Sequence, residues 1–289
     1  MSPRAACVAH VGSGEFARVA DALTELRGRY GRIPIHPVQL PGEAGEVVRE
    51  LASYLDLLAV FGGDGTIHDA VGGLPLGPDD PAVALLPGGT GNDLVRGLGL
   101  PADAVATARA AAAGAPRALD LLDCDGVRAA NGVNAGFAAA ATEILSRRIK
   151  LLLGPAAYAV GGLVAGLRPP TWPARVEVAG EVFEAEALAV VAGNGPSFGG
   201  GIRLLEGADP GDGLLDVLVV PAEALKGAAK ARLAARLARK RLPDGLPRFR
   251  GPSVTLQTEM PCRLDGEPQP TPRSVTVLPG AWRVLLPPA

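Results

Sequence analysis

Short apolar runs alternate with stretches of helical periodicity along residues 5–113 of the chain. Four of the runs have the length of a buried strand, and apolar positions at the i, i+3, i+4 spacing of a helix follow them. The strands are predicted at residues 5–11, 33–40, 57–61 and 82–86, and the helices at residues 16–26, 43–54, 67–74, 94 onwards and 101–113. This alternation predicts an α/β domain built on a parallel sheet.

The pattern changes near Arg117, beyond which short strand-like runs are separated by turn signals. This half is predicted to be mostly β, and we expect a β-sandwich. Two helices are predicted within it, at residues 142–167 and 222–241, and a hairpin is predicted around Ala179-Gly180-Glu181. The strands are predicted at residues 118–123, 127–131, 175–178, 182–187, 188–192, 214–220, 253–257, 262–264, 275–278 and 283–286.

We therefore predict two domains, an α/β domain over residues 1–118 and a β-sandwich domain over residues 119–289, with the last strand returning to the first domain. The cleft between two such domains is the expected place for a binding site. Within an open parallel sheet, ligands bind at the carboxyl ends of the strands. Glycine-rich loops follow three of the predicted strands of this sheet, so these loops are expected to converge on one ligand.

Composition narrows the class of protein. With 48% hydrophobic and 20% charged residues, the chain is expected to be globular, and its net charge of −2 gives no reason to expect a nucleic-acid partner. The three cysteines include no Cys-x-x-Cys pair, which argues against a structural zinc site and a disulfide framework and fits a reducing cytoplasm. Residues 151–167 are uncharged but contain four glycines and a proline. A membrane span needs about 20 mostly apolar residues, so a buried or cleft-lining helix is expected there.

The first notable loop is Gly62-Gly63-Asp64-Gly65-Thr66, between the third predicted strand and its helix. Glycines let the backbone turn sharply and approach a ligand closely, and the N–H groups that begin a helix favour phosphate. Asp64 would repel a phosphate unless a cation lay between them, which favours a Mg²⁺-nucleotide. The alternative is an ordinary tight turn in which Asp64 caps the helix.

A second loop, Pro87-Gly88-Gly89-Thr90-Gly91-Asn92-Asp93, has the same character. Thr90 offers a hydroxyl, and Asp93 could share a hydrated Mg²⁺ with Asp64, although Asn92 and Asp93 could instead cap the next helix. In a third loop, Gly12-Ser13-Gly14, the serine could contact phosphate or cap a helix. No GxxxxGK[ST] motif is present and no lysine lies in a glycine loop, which excludes a Walker-type NTPase.

Together, GGDGT and PGGTGND resemble the loops of the diacylglycerol kinase catalytic domain family, the lipid kinases that include bacterial diacylglycerol kinases and sphingosine kinases. Similar segments follow in the order of that family: NGVNAGF at residues 131–137, NGPSFGGGIR at 194–203, DGLLD at 212–216 and LDGE at 264–267. The resemblance, closest to soluble bacterial lipid kinases, implies an α/β domain of the phosphofructokinase and NAD-kinase type followed by a β-sandwich. It also implies transfer of phosphate from ATP, with Mg²⁺, to a hydroxyl of diacylglycerol or a related lipid in the cleft between the domains.

The same resemblance implies roles for individual residues. Asp64 and Asp93 would belong to a Mg²⁺ network, and Asp212 would bind a structural Mg²⁺ with the backbone carbonyls of Asp209 and Leu214. Asp265 and Glu267 of LDGE would supply the base that takes the proton of the lipid hydroxyl, with Glu267 ahead of Asp265. For both Asp212 and Asp265, an Asp-Gly turn is the structural alternative. The residues implied to contact ATP are Ser13, Gly14, Gly62, Gly63, Asp64, Gly65, Thr66, Ile67, His68, Gly89, Thr90 and Asn92.

Three positions depart from the pattern of the family. His68 and Asp69 stand where an asparagine and a glutamate are expected, which weakens a role for these side chains but not for the loop backbone. Residues 38–41 hold no threonine, so a nucleotide contact there is in doubt. Gly211 precedes Asp212 where an acidic pair is common, which weakens the expected metal site.

Residues 226–241 contain seven basic residues and no acidic one, and residues 225, 229, 233 and 237 form an apolar stripe. Such a helix could lie on an anionic membrane surface, although a helix packed on its stripe with a solvated basic face is favoured. The expected partners of a cytoplasmic enzyme of this kind are a lipid substrate and, through peripheral contact, the inner face of the membrane; a homodimer stays open.

Two other functions stay open. An NAD kinase shares a GGDGT loop, but the second glycine loop and the LDGE segment count against it. A catalytically inactive regulator that binds nucleotide or lipid is the other alternative, because of His68 and Asp69. The presence of Asp64, Asp93, Asp265 and Glu267 counts against that alternative.

Overall fold

The computed structural model of the protein describes residues 3–12, 15–77, 80–136, 139, 169–226, 229, 233, 236, 239 and 242–288. The chain forms two compact units, residues 1–121 with 278–289, and residues 122–277. The predicted helix at residues 142–167 lies outside the described residues, and so does most of the predicted helix at residues 222–241. In the described part of the chain, no helix is both long and apolar enough to span a membrane.

Helices alternate with strands in the first unit, and strands predominate in the described part of the second. The α-helices are α1 Phe16–Tyr30, α2 Glu43–Leu51, α3 Asp64–Gly73, α4 Asp93–Gly97 and α5 Ala104–Ala113, and 3₁₀ turns lie at Ala52–Tyr54 and Ala222–Leu225. The strands are β1 Ala5–His10, β2 Ile35–Val38, β3 Leu57–Gly62, β4 Ala82–Pro87, β5 Ala115–Cys124, β6 Val127–Ala129, β7 Gly132–Gly136, β8 Trp172–Val178, β9 Glu181–Gly193, β10 Ser197–Phe198, β11 Ile202–Arg203, β12 Leu215–Pro221, β13 Arg248–Gly251, β14 Ser253–Thr258, β15 Cys262–Leu264, β16 Glu267–Gln269 and β17 Ser274–Leu286.

The first unit is a parallel sheet with helices on both faces. Its strand order is β17-β4-β3-β1-β2, and each neighbouring pair is parallel. Phe61 and Leu86 pack on one face with residues of α1 and α5, whereas Val60 and Leu85 lie against α3 on the other. Because both faces are covered, β3 and β4 are buried along their whole length, as their unbroken apolar runs predict. The predicted α/β fold is confirmed.

The second unit consists of antiparallel strands with a main apolar core and, among the described residues, a second, smaller apolar cluster. β9 pairs with β8 along its first half and with β7 and β12 along its second half. From there the pairing continues through β8 to β14 and β17, and through β7 to β15 and β16. Alternate side chains of these strands share the core, among them Val133, Val176, Val190, Val217 and Val254. The predicted β-sandwich architecture of this half is confirmed.

The break predicted between residues 278 and 283 is wrong, because β17 continues through it. Pro279 and Gly280 are typical of a turn, and the prediction divides the strand there. In the structure Gly280 has a φ of +59° and donates its N–H to Asp120 Oδ1 at 2.7 Å. This contact satisfies the backbone donor and lets the strand resume after the irregular residue.

The structure also joins the predicted strands at residues 182–187 and 188–192 into the single strand β9. Its hairpin with β8 is tighter than predicted, because Glu181 already pairs with Val178. Ala179 and Gly180 therefore form a two-residue turn, and both have the positive φ that such turns require. The sequence does not predict β7, β13 or β16, which are short and contain glycine or proline.

Candidate active site

The first glycine loop joins the end of β3 to the start of α3. β3 ends at Gly62, and α3 begins at Asp64 after Gly63, which has no side chain to cap the helix. A Cβ on Gly62 would lie 2.3 Å from Thr66 Oγ1, so the Thr66 side chain fills the space beside this glycine. The first N–H groups of α3 are thus left without a capping side chain, as in helix ends that bind phosphate.

The second glycine loop lies directly against the first, because β3 and β4 are parallel neighbours. The Gly88 amide donates to the Gly62 carbonyl oxygen at 2.8 Å, which extends the pairing beyond the strands. A Cβ on Gly89 would lie 2.6 Å from Gly63 Cα, so only glycine fits at this position without movement of the backbone. The two loops form one backbone surface at the carboxyl edge of the sheet, where ligands of such folds bind.

The Asp64 carboxylate connects the two loops. Its Oδ1 accepts a hydrogen bond of 2.8 Å from the backbone N–H of Asp93, the first residue of α4. A Cβ on Gly91 would lie 2.6 Å from Asp64 Oδ2, so the carboxylate is held against the second loop. Asp64 therefore caps α4 and not its own helix, which was the structural alternative. Its negative charge is favourable at the start of a helix.

Asn92 gives the second loop its shape. It has a φ of +50°, and its Nδ2 donates to the Gly89 carbonyl oxygen at 2.8 Å. Its Oδ1 is buried and has no hydrogen-bond partner among the described residues. Thr90 is exposed at the tip of the loop, where its hydroxyl can contact a ligand. Ser13 and Gly14, which the sequence places near the nucleotide, lie outside the described residues.

We expect Gly89→Ala to raise the Kd for ATP about tenfold, which corresponds to about 1.4 kcal/mol. The added Cβ must push the second loop away from Gly63, and overpacking of this kind costs about 1–3 kcal/mol. Titration calorimetry with ATP measures the effect. Gly72→Ala on α3 is the matched control, because a Cβ there meets nothing within 4 Å. Equal ATP affinity in the two variants would contradict a nucleotide site on the joined loops.

The structure of the first unit shows the environment of His68 and Asp69, the two residues that depart from the pattern of the family. His68 is buried within α3. The Asp69 carboxylate accepts a hydrogen bond of 2.6 Å from the Gly42 amide, at the start of α2. Asp69 thereby links the middle of α3 to the start of α2, which explains a short acidic residue at this position.

In the second unit, Asp265 and Gly266 form the turn between β15 and β16. Asp265 has a φ of +50°, so the structural alternative of an Asp-Gly turn is present. The Asp265 carboxylate is buried, and backbone amides engage both of its oxygens. It accepts hydrogen bonds from Ala130 N at 2.8 Å, Asn131 N at 2.8 Å and Gly132 N at 2.9 Å. Asp265 therefore holds the LDGE turn against the chain that leads into β7.

Glu267 has a different environment from that of Asp265. It is the first residue of the edge strand β16 and is partly buried. Its carboxylate forms no hydrogen bond or ion pair with any residue that the structure describes. A base must offer a lone pair to the proton that it accepts, and Glu267 satisfies this geometric condition better than Asp265.

Asp209, Asp212 and Leu214 lie in the turn that precedes β12. Asp212 Oδ1 accepts a hydrogen bond of 2.9 Å from the Leu214 amide, and Asp209 Oδ1 accepts one of 3.1 Å from the Gly211 amide. The other Asp212 oxygen forms an ion pair with Arg250 of β13. Within the described ranges, no three His, Cys, Asp or Glu side chains are grouped as metal ligands. The Asp-Gly turn is again present at the predicted position.

Asp120 and Asn131 are buried polar residues that are not among the site residues predicted from sequence. Asp120 on β5 is 2% exposed, and its carboxylate accepts the hydrogen bond from Gly280 described above. Asn131 donates through Nδ2 to the Ser197 backbone carbonyl oxygen at 2.9 Å. The backbone carbonyl oxygen of Asn131 accepts hydrogen bonds from the amides of Asn194 and Gly195. A charged residue inside an otherwise apolar strand run is the signal that could have identified Asp120.

The thiol groups do not contribute to the site. Cys7, Cys124 and Cys262 are buried. Burial raises the pKa of Cys7 and Cys262 to about 12 and raises the pKa of Cys124 as well. These thiols stay protonated at neutral pH, so they are not candidates for a nucleophile.

An α/β unit with paired glycine loops, followed by a β-sandwich unit, defines a class of phosphotransferases. Residues 9–124 match the family described as the diacylglycerol kinase catalytic domain, and residues 131–286 match the YegS C-terminal NAD kinase beta sandwich-like domain. The chain belongs to the diacylglycerol kinase-like lipid kinase family of the YegS type. This membership confirms the family resemblance of the sequence motifs.

Relatives are similar along nearly their full length. A Pseudomonas fluorescens protein named "Probable lipid kinase YegS-like" is 35% identical over 258 residues, which cover 86% of this chain and 85% of the relative. A Stenotrophomonas maltophilia protein of the same name is 31% identical over 282 residues, with coverage of 92% and 91%. The crystal structure of a diacylglycerol kinase from Bacillus anthracis aligns with a TM-score of 0.81 at 25% identity, covering 99% of this chain and 98% of that one. The crystal structure of a "putative diacylglycerol kinase" from the same organism has a TM-score of 0.85 at 24% identity. The alignment covers 100% of this chain and 98% of that one.

Proposed function

We propose that this protein is an ATP- and Mg²⁺-dependent kinase that phosphorylates a hydroxyl of diacylglycerol or a related lipid. The observation that carries the proposal is the joining of the two glycine loops, in which Gly63 lies against Gly89 and Asp64 accepts the Asp93 amide. Phosphoryl transfer depends on positioning and on stabilisation of charge, and backbone N–H groups at two adjacent helix starts can provide both.

In this proposal, the first loop and its helix start bind the phosphates of ATP through the backbone of residues 62–68. The second loop adds the backbone of Gly89 and the hydroxyl of Thr90, and Asn92 keeps that loop in its binding shape. Ser13 and Gly14 belong to the same proposed site. The carboxylates of Asp64 and Asp93 would hold Mg²⁺, which would supply positive charge to the phosphate oxygens.

Glu267 is the proposed base. Its carboxylate would accept the proton of the lipid hydroxyl as that oxygen attacks the γ-phosphate of ATP. Asp265 would act on the same turn as a positioning residue, because its oxygens are engaged by three backbone amides. The acceptor is a membrane lipid, so a cytoplasmic location with peripheral contact at the inner face of the membrane is part of the proposal.

A transfer assay tests the proposed activity. Purified protein with Mg²⁺ and γ-labelled ATP is offered diacylglycerol, phosphatidylglycerol, a sphingoid base and NAD in separate reactions, and label is followed into each acceptor. We expect label in a lipid. We also expect Asp64→Asn to lower the rate about 10- to 100-fold, because the amide keeps an oxygen for the Asp93 N–H but removes the charge that would hold Mg²⁺.

The control for loss of a carboxylate in the same unit is Asp21→Asn, an exposed position on α1. Its rate should equal that of the unchanged protein. Label in NAD and in no lipid would replace the proposal by an NAD kinase. Binding of ATP without transfer to any acceptor would replace it by a nucleotide-binding regulator.

A further inference from the structure

Arg250 on β13 lies at the centre of an ion-pair cluster with Asp212, in the loop that precedes β12, and Asp216 on β12. β12 and β13 are antiparallel, and Arg250 lies directly opposite Asp216 in the register. Its Nε lies 3.6 Å from Asp216 Oδ2, and its terminal nitrogen forms an ion pair with Asp212 Oδ2. One guanidinium therefore lies between two carboxylates, that of Asp212 in the Asp-Gly turn and that of Asp216 just beyond it.

The surroundings make this cluster different from an ordinary surface pair. The side chains of Asp212 and Asp216 are only 26% and 25% exposed. Charges removed from water in this way are screened less by salt than exposed ones. By comparison, the carboxylates that pair with Arg175, those of Glu177 and Glu184, are 46% and 64% exposed, whereas the two arginines are similar, at 37% for Arg175 and 46% for Arg250.

The residues of this loop do not fit the structural Mg²⁺ that the family resemblance implies. Mg²⁺ requires near-octahedral oxygen ligands at about 2.0–2.1 Å. Here one Asp212 oxygen accepts the Leu214 amide and the other pairs with Arg250, while Gly211 adds no carboxylate beside it. A divalent cation at this position would also lie next to a fixed guanidinium charge, which would repel it.

We propose that Arg250 takes the place of a divalent cation in this loop, so that residues 209–216 are ordered without a bound metal. The guanidinium supplies fixed positive charge and planar donors that match two carboxylates. Unlike a metal ion, this charge cannot be removed by a chelator. The inference does not depend on the proposed kinase activity, because it concerns the protein without nucleotide.

The test compares thermal unfolding of the nucleotide-free protein in MgCl₂ and in EDTA. A ligand that binds only the folded state raises Tm, so a structural Mg²⁺ would separate the two curves. We expect Asp64→Asn, which lacks the proposed Mg²⁺ site on the glycine loops, to give the same Tm in both. We expect Arg250→Ala to lower Tm by roughly 3–6 °C, since two partly buried carboxylates then lose the guanidinium that pairs with both of them. Arg250→Lys, which keeps the charge but loses the planar fork, should give an intermediate Tm.

Arg175→Ala is the control, because it removes an arginine that pairs with two more exposed carboxylates in the same unit, and its Tm should hardly change. Electron paramagnetic resonance of Mn²⁺ then locates any bound metal. Binding that Asp64→Asn abolishes and Asp212→Asn preserves supports the inference, because the metal then lies on the glycine loops. A higher Tm in MgCl₂ together with Mn²⁺ binding that Asp212→Asn abolishes would overturn it, and so would an unchanged Tm in Arg250→Ala.

Discussion

Glu267→Gln is expected to lower the turnover of lipid phosphorylation by about 10²–10⁴-fold, the usual contribution of a positioned base. Glutamine has the same shape as glutamate but cannot take the proton of the attacking hydroxyl. Because the Glu267 carboxylate has no hydrogen bond or ion pair within the described residues, the substitution should leave Tm unchanged. Initial rates with labelled ATP, together with a thermal unfolding curve, measure both quantities.

The control for this variant is Glu259→Gln, which neutralises an exposed glutamate in the same unit and should keep full turnover. A KM for ATP equal to that of the unchanged protein would show that the nucleotide site is intact in Glu267→Gln. Turnover within a factor of about two of the unchanged protein would remove Glu267 from the role of base.

Asp265→Ala is expected to lower the free energy of unfolding by at least about 4 kcal/mol. The substitution leaves three backbone N–H groups at residues 130–132 without their acceptor in a buried place, and each such group costs about 1–3 kcal/mol. Alanine must also adopt the positive φ of this turn, which costs about 1–2 kcal/mol. Unfolding in urea, followed by fluorescence, measures the loss.

The chain offers a closely matched control at Asp125, which also precedes a glycine, also has a positive φ, and also accepts backbone hydrogen bonds. Asp125 is exposed, so water can replace its carboxylate at the amides of Arg273 and Ser274. Asp125→Ala should therefore cost clearly less than Asp265→Ala. Equal losses would show that the positive φ, and not the buried amides, dominates at Asp265.

The α/β unit could be predicted from sequence because its signals are local. The apolar runs of β3 and β4 directly precede their glycine loops, and the parallel pairing of the two strands brings the loops together. That Gly63 and Gly89 are neighbours can therefore be predicted from the sheet. How closely their backbones approach cannot be predicted in this way. In the β unit, apolar runs and turn signals locate most strands but wrongly divide β9 and β17. A turn signal or a change in alternation does not end a strand if the neighbouring strands continue to pair with it.

The roles of the acidic residues could not be separated from sequence, because their partners are distant along the chain. Asp265 accepts hydrogen bonds from amides about 130 positions earlier, and no local pattern announces them. Arg250 is 38 positions from Asp212 and has no motif of its own. Motifs therefore identify the LDGE and DGLLD segments as candidate sites. Only the folded structure distinguishes a carboxylate whose hydrogen bonds hold a turn from a carboxylate that can accept a proton.

The first unit combines residues that precede the second unit along the chain with residues that follow it, since β17 pairs in parallel with β4 through Arg283 and Val284. During synthesis, β1 to β4 leave the ribosome long before β17 does. Until then, β4 presents an unpaired edge of backbone N–H and C=O groups, which is the kind of edge that recruits other strands. The sheet that bears the glycine loops therefore becomes complete only after the second unit has been synthesised, and a fragment that ends at residue 121 would keep that edge open.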